Sequence, residues 1–165
     1  MQWKGLLMVK DQAERVVGTN RKAFHDYAFE ERLEAGIVLK GTEVKSLREG
    51  RVNLRESYAS VVRGRAILHN CYIGEYSHGN IMNHEPLRPR TLLLHRKEIN
   101  KIMGKVQQRG LTLIPLRVYF TPRGLAKVEI ALARGKKQYD RRDTMKKREA
   151  SREIERALKT TRQGA

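Results

Sequence analysis

Apolar residues at every second position are the feature that most limits how this chain can fold. Residues 27–39, 111–120 and 125–133 each show this alternation, which is the period of a β-strand with one buried face. Two further β-rich runs, residues 57–62 and 66–73, flank a turn and predict a hairpin. In residues 111–120 the predicted common face consists of Thr112, Ile114, Leu116, Val118 and Phe120. The alternation predicts a mainly β chain.

Two segments between these runs predict helices. Residues 42–49 form the first, which ends before Gly50. The second begins after His95 and ends before Gly110, with apolar residues at helical spacing: Ile99, Ile102, Met103 and Val106. Pro115 cannot donate a ladder hydrogen bond, so it predicts a sheet edge or a bulge. Five or six short strands with flanking helices predict an OB-fold-like small β-barrel, the commonest such architecture that binds nucleic acid.

The charge balance indicates the kind of partner. The 165 residues include 35 Lys and Arg against 18 Asp and Glu, a net charge of +17. Such an excess opposes compaction, and it usually goes with a polyanionic partner, either nucleic acid or an anionic membrane. The run of about 18 apolar residues that a membrane span needs is absent. The single cysteine, Cys71, excludes an internal disulfide and a cysteine-based zinc site. We expect a cytoplasmic protein without a membrane partner.

The composition divides the chain into three parts. Residues 1–19 are polar and non-periodic and predict a flexible leader, with Met1 and Met8 both candidate starts. Residues 20–133 form the predicted RNA-binding barrel. Residues 134–165 contain 12 Lys or Arg and 5 Asp or Glu, and their apolar stripe is thin. Such a basic C-terminal tail is expected to be disordered alone and helical when a polyanion holds it.

The first candidate RNA contacts precede the first long strand. Arg21 and Lys22 can grip phosphates, while Asn20 and His25 can hydrogen-bond a base edge or a 2′-hydroxyl. The alternative interpretation is an ordinary charged entry into the strand.

Other candidates lie further along the body. Arg88 and Arg90 flank Pro89, so two guanidiniums on a stiffened segment are placed to meet phosphate. Glu34 is an acid in a basic protein. It can accept a hydrogen bond from a base amino group, or it can form a salt bridge with a neighbouring cation.

In the tail, residues 135–142 interleave cations with Tyr139. The cations can neutralise phosphates, and the ring can stack on a base, a contact worth roughly 1–3 kcal/mol. The alternative is a solvated tail that aids solubility.

An enzymatic function has little support. Glu43-Val44-Lys45, with Asp26 upstream, matches the minimal pattern of metal-dependent nucleases, but the triplet lies in a predicted helix. His78 and His84 have no third ligand near them in the sequence, and no Walker loop or nucleophile elbow is present. We expect a non-enzyme with no catalytic residues, no metal and no cofactor.

Several blocks resemble the SsrA-binding protein family, in order and at family spacing. The most specific are GTEVKSLR at 41–48 and GKKQYDRR at 135–142, accompanied by residues 20–23, 33–39, 53–54, 90–95 and 124–128. The resemblance runs from about Asn20 to Leu158. It implies an OB-fold body that binds the tRNA-like domain of transfer-messenger RNA. The bound protein would take the place of the anticodon stem that this RNA lacks. It also implies a tail that enters the empty messenger channel of a stalled ribosome, so that trans-translation rescues the ribosome and tags the nascent peptide.

The resemblance also implies roles for individual positions in what we expect to be a monomer. The RNA face is expected to include Asn20, Lys22, His25, Glu34, Arg90 and Leu92. The part of the tail at the small-subunit decoding centre and in the messenger channel is expected to include Lys136, Lys137, Tyr139, Asp140, Arg141, Arg142, Lys146, Lys147 and Arg148. The remaining alternatives are an OB-fold translation factor bound only to ribosomal RNA and, remotely, the nuclease.

Overall fold

The computed structural model describes residues 13–136 and 138–163, which form nine strands and four α-helices. The strands are β1 Arg15–Thr19, β2 Tyr27–Ile37, β3 Val52–Asn53, β4 Tyr58–Val62, β5 Arg65–His69, β6 Tyr72–Ile73, β7 Arg90–Leu93, β8 Thr112–Phe120 and β9 Ala126–Gly135. The helices are α1 Arg21–Asp26, α2 Gly41–Arg48, α3 Arg96–Arg109 and α4 Gln138–Gln163, with a 3₁₀ turn at Asn80–Met82. The prediction of a mainly β chain with flanking helices is confirmed. Within the described ranges no helix is both long and apolar enough to cross a membrane.

Seven strands form one antiparallel sheet in the order β1-β8-β4-β5-β7-β2-β9. Strand β9 also pairs with β8. Six strands are therefore paired in a closed ring, in the order β8, β4, β5, β7, β2 and β9. Strand β8 pairs with β9 on one side, and on its other side with β4 and then β1. Strands β3 and β6 form a separate two-stranded sheet.

The local signals predicted several elements correctly. In the β4–β5 hairpin, Arg63 and Gly64 have φ of 49° and 72°, the positive values that a tight two-residue turn requires. Helix α3 begins after His95, whose backbone N–H donates to Glu98 Oε2 at 2.8 Å. It ends at Gly110, which adopts the left-handed conformation.

A bulge in β8 corrects the predicted face of that strand. The register with β9 shifts between Pro115 and Arg117, as the proline predicted. Because one extra residue reverses which side alternate residues face, Ile114 and Leu116 pack in a different cluster from Val118 and Phe120. The single face predicted for residues 112–120 is therefore wrong.

Four other features differ from the expectations above. The leader was expected to reach residue 19, but Arg15–Thr19 forms β1 and pairs with β8; residues 1–12 lie outside the described part. The residues before β2 form the short helix α1 rather than a strand entry. The run 66–73 divides at Asn70, whose φ is 54°, and its second part joins β3. The body extends to Gly135, where β9 ends.

The interior consists of two apolar clusters. The larger is formed by side chains from α2, α3 and the strands, among them Leu47, Leu68, Ile102, Leu113 and Ile130. The smaller lies under α1 and consists of Ala23, Ile114, Leu116, Ala131 and Ala133, with Phe24, Tyr27 and Phe29 packed against it. The smaller cluster fixes α1, with its predicted RNA contacts, on β8 and β9.

Candidate RNA-binding surface

Asn20 holds α1 on the sheet. It is 3% exposed, its Oδ1 accepts from the backbone N–H of Ala23 at 3.1 Å, and its Nδ2 donates to the carbonyl of Pro115 at 3.0 Å. Capping the first turn of a helix in this way is a preferred role of asparagine. The predicted contact of Asn20 with a base edge would require these bonds to break, so the structure assigns it the positioning of α1.

Helix α1 carries three of the residues that we predicted to contact RNA. Arg21, Lys22 and His25 line a depression together with Arg55. Lys22 Nζ lies 2.6 Å from Glu56 Oε1, and His25 Nδ1 lies 2.8 Å from a carboxylate oxygen of the adjacent aspartate. Because the side chains of Lys22 and Glu56 are 43% and 68% exposed, their pairing is weak and phosphate can compete for the lysine.

Glu34 lies in a different depression, lined also by Thr91, Leu93 and Lys127. Its carboxylate accepts hydrogen bonds from Lys127 Nζ and from the hydroxyl of Tyr119. These two bonds, that of Lys127 foremost, lower the pKa of Glu34, so the side chain is ionised at neutral pH. The contact between Glu34 and Lys127 is the salt bridge of the alternative interpretation. The Glu34 side chain is also 46% exposed, so its carboxylate is open to solvent.

The predicted pair Arg88 and Arg90 meets a buried acid instead of solvent. Arg88 Nε and Arg90 Nε each donate to Glu43 Oε1 at 2.8 Å, and Arg88 Nη2 donates to Oε2 at 2.5 Å. Arg90 and Glu43 are fully buried, whereas the Arg88 side chain is 22% exposed. Arg90 also donates to the carbonyls of Cys71 and Pro86. The prediction that Arg90 grips phosphate is therefore wrong for this arrangement, in which it ties β7 to α2.

The pKa of Glu43 reflects competing effects. Burial raises it, but the hydrogen bonds from Arg88, from the backbone N–H of Lys40 and from Arg90 outweigh that effect and lower it. Since these donors occupy both carboxylate oxygens, Glu43 is not open to a catalytic metal. In residues 13–136 and 138–163, no group of three or more His, Cys, Asp or Glu side chains could hold a metal ion.

Leu92 lies in the core rather than at the surface. It is 2% exposed, whereas the next residue, Leu93, is 58% exposed. Because neighbouring residues of a strand face opposite sides, Leu93 is the one that β7 presents to solvent. The alternation of side chains along a strand could have shown from the sequence that Leu92 and Leu93 face opposite sides.

The tail is a helix in its described part. Arg142, Lys146, Lys147 and Arg148 are exposed on α4, as their predicted role requires. Lys136 lies at its base, where its backbone N–H donates to the carbonyl of Asp26 at 2.8 Å and its Nζ to that of Phe24 at 3.3 Å. Lys137 and the side chains of Tyr139, Asp140 and Arg141 lie outside what the structure describes.

Comparison with known proteins identifies the sequences that this chain resembles. The model of the family described as "SmpB protein" matches residues 17–160. An SsrA-binding protein of Moorella thermoacetica is 59% identical over 145 residues, which are 88% of this chain and 94% of that protein. An SsrA-binding protein of Geobacillus kaustophilus is 56% identical over 145 residues, 88% of this chain and 93% of that protein.

A solved structure resembles the fold as well as the sequence. It is described by the words "tmRNA-SmpB: a journey to the center of the bacterial ribosome", and its chain is 53% identical to this one. The superposition has a TM-score of 0.63 and covers 74% of this chain and 85% of the other.

Proposed function

This chain belongs to the SmpB family, and on that premise we propose that it binds the tRNA-like domain of transfer-messenger RNA and delivers it to stalled ribosomes for trans-translation. The observation that supports this most strongly is the extent of the match, which continues from the body through α4 to residue 160. The body and the tail are therefore both family features. The proposed site of action is the cytoplasm, where ribosomes work, and the proposed active form is a monomer.

The body is proposed to be an OB-fold-like barrel that grips the folded RNA. The closed order of strand pairings supports a barrel, since closure of this kind removes unpaired edges. Arg21, Lys22 and His25 on α1 would contact the RNA backbone. Glu34 would accept a hydrogen bond from a base amino group and so add discrimination to a surface that otherwise attracts any phosphate. The Arg88 side chain is 22% exposed, and only this exposed part would contact the RNA.

The tail is proposed to enter the messenger channel as a helix. Its cations Arg142, Lys146, Lys147 and Arg148 are exposed along α4, where they can face ribosomal RNA phosphates. The residues proposed for the decoding centre are Lys136, Lys137, Tyr139, Asp140, Arg141 and Arg142. An occupied channel would exclude the helix, so that only a ribosome without messenger in its A site would accept it.

We propose no catalytic activity for this chain. The Glu43 carboxylate, the essential acid of the nuclease alternative, is enclosed by Arg88 and Arg90. Cys71 is buried, and burial raises the pKa of its thiol to about 11, which removes the thiolate that a nucleophile needs.

Recovery of the bound RNA from cells tests this function. The tagged full-length protein should enrich transfer-messenger RNA over ribosomal RNA. Enrichment of ribosomal RNA alone would favour the translation-factor alternative. Incubation of the purified protein with a tRNA-like RNA and magnesium should leave the RNA intact, and clean cleavage would favour the nuclease.

A further inference from the structure

A cationic depression separates α1 from α4 in the described part of the chain. It has a volume of about 560 Å³ and is lined by Arg21, Phe24, Arg148, Ser151, Arg152 and Glu155. One guanidinium comes from α1 and two from α4, so the depression exists only while the two helices lie together.

The three guanidiniums have no anionic partner among the described residues. Among the described residues, no ion pair or side-chain hydrogen bond involves the guanidinium of Arg21, Arg148 or Arg152, and Glu155 is the one carboxylate of the lining. The Phe24 ring of the lining also has a cation over it, since the guanidinium of Arg32, which is paired with Glu129, lies 5.7 Å from the ring centre. Like charges brought together without a counterion repel each other, so this arrangement is electrostatically incomplete.

The orientation of α4 gives independent support. Arg148, Ser151, Arg152 and Glu155 follow the spacing i, i+3, i+4 and i+7, which places them on one face of the helix, and that face is turned towards α1. Ile154 is 61% exposed and Met145 is 48% exposed. Of the α4 side chains that the structure describes, those that face α1 are therefore cationic or polar, and the apolar Met145 and Ile154 face solvent.

We propose that this depression binds a phosphate group, which completes its charge balance and holds α4 against α1. Guanidiniums form paired, charge-assisted hydrogen bonds with phosphate oxygens, and three of them converge here. The proposal rests on the proposed function only in taking an RNA backbone phosphate as the natural source. Arg148 would then serve twice, first at this site and later in the messenger channel after α4 has left α1.

Affinity measurements on the full-length chain test the site. Arg21→Gln and Arg152→Gln should each weaken binding of the tRNA-like domain about tenfold, the value of one charge-assisted hydrogen bond. The double variant should lose well short of the roughly hundredfold expected of independent contacts, because both residues would hold one phosphate. Arg123→Gln, which removes the same charge from the exposed turn before β9, should change the affinity by less than about twofold.

The source of the phosphate is tested by following the arginine side-chain signals of the full-length protein by nuclear magnetic resonance. If inorganic phosphate moves the signals of Arg21 and Arg152 together, the site accepts phosphate from any source. If only RNA moves them, the site requires an RNA backbone. No movement with either, or equal losses of affinity in Arg152→Gln and Arg123→Gln, would overturn the proposal. Selective binding of the tRNA-like domain by the wild-type chain would still leave the proposed function standing.

Discussion

Replacement of Glu43 by alanine should destabilise the body more than removal of any surface acid. The carboxylate accepts hydrogen bonds from Arg88, from Arg90 and from the backbone of Lys40. Without it, the fully buried Arg90 guanidinium loses its counterion while remaining out of water. Breaking a buried ion pair from one side costs about 3–5 kcal/mol, because the remaining charge is left uncompensated.

Urea denaturation followed by far-UV circular dichroism measures this loss. With a slope near 2 kcal/mol per M, the midpoint of Glu43→Ala should fall by about 1.5–2.5 M. The matched control is Glu31→Ala, since Glu31 also bridges two cations, Lys101 and Lys105, but on the surface. Its loss should stay below about 1 kcal/mol. Equal losses in the two variants would refute the view that the Glu43 network is a buried electrostatic centre of the fold.

Acid should weaken the same network. The folded-state pKa of Glu43 lies below its ordinary value of 4.5. A carboxyl group with a depressed pKa contributes its stability above the unfolded-state pKa and loses it as the pH falls through the folded-state pKa. The difference in the free energy of unfolding between wild type and Glu43→Ala should therefore have its largest value above about pH 5 and decrease below the unfolded-state pKa.

Three other outcomes follow from the structure. Glu34→Arg should weaken binding of the tRNA-like domain although it adds positive charge, whereas Glu31→Arg should not; a gain of affinity in Glu34→Arg would mean that attraction to phosphates suffices. A chain that ends at Lys136 should lose ribosome rescue completely. Its affinity for the tRNA-like domain should fall only about tenfold, the same loss as expected for Arg152→Gln; a larger loss would reject the division of work between body and tail. Native Cys71 should resist a thiol reagent near pH 8 until the chain unfolds; rapid labelling would contradict its burial.

The strand pattern was predictable because it depends on neighbouring residues. Alternation over residues 27–39 predicted β2, and the signals at His95 and Gly110 predicted both ends of α3. The effect of Pro115 was only half predictable. The proline indicated a bulge, but the sequence did not show that this bulge moves Ile114 and Leu116 to the other cluster.

The partners of the candidate site residues were harder to predict because they lie far away in the sequence. Glu43 lies 45 residues from Arg88 and 47 from Arg90, and no local pattern links them. The capping role of Asn20 could have been found, since asparagine is favoured before the first turn of a helix. Helix α1, with six residues, was too short to produce a periodic signal. The contact between α1 and α4 depends on the fold of the whole body and has no signature in the sequence.

Competition binding most directly tests the central claim that the body recognises the shape of a tRNA-like RNA. Labelled tRNA-like domain, bound to the full-length protein, is titrated with unlabelled tRNA-like domain and with a random RNA duplex of equal length. The tRNA-like domain should compete at least about 100-fold better, because specific contacts add to phosphate attraction that both RNAs share. Equal competition by the duplex would contradict the claim, since it would leave only the net charge of +17 to account for binding.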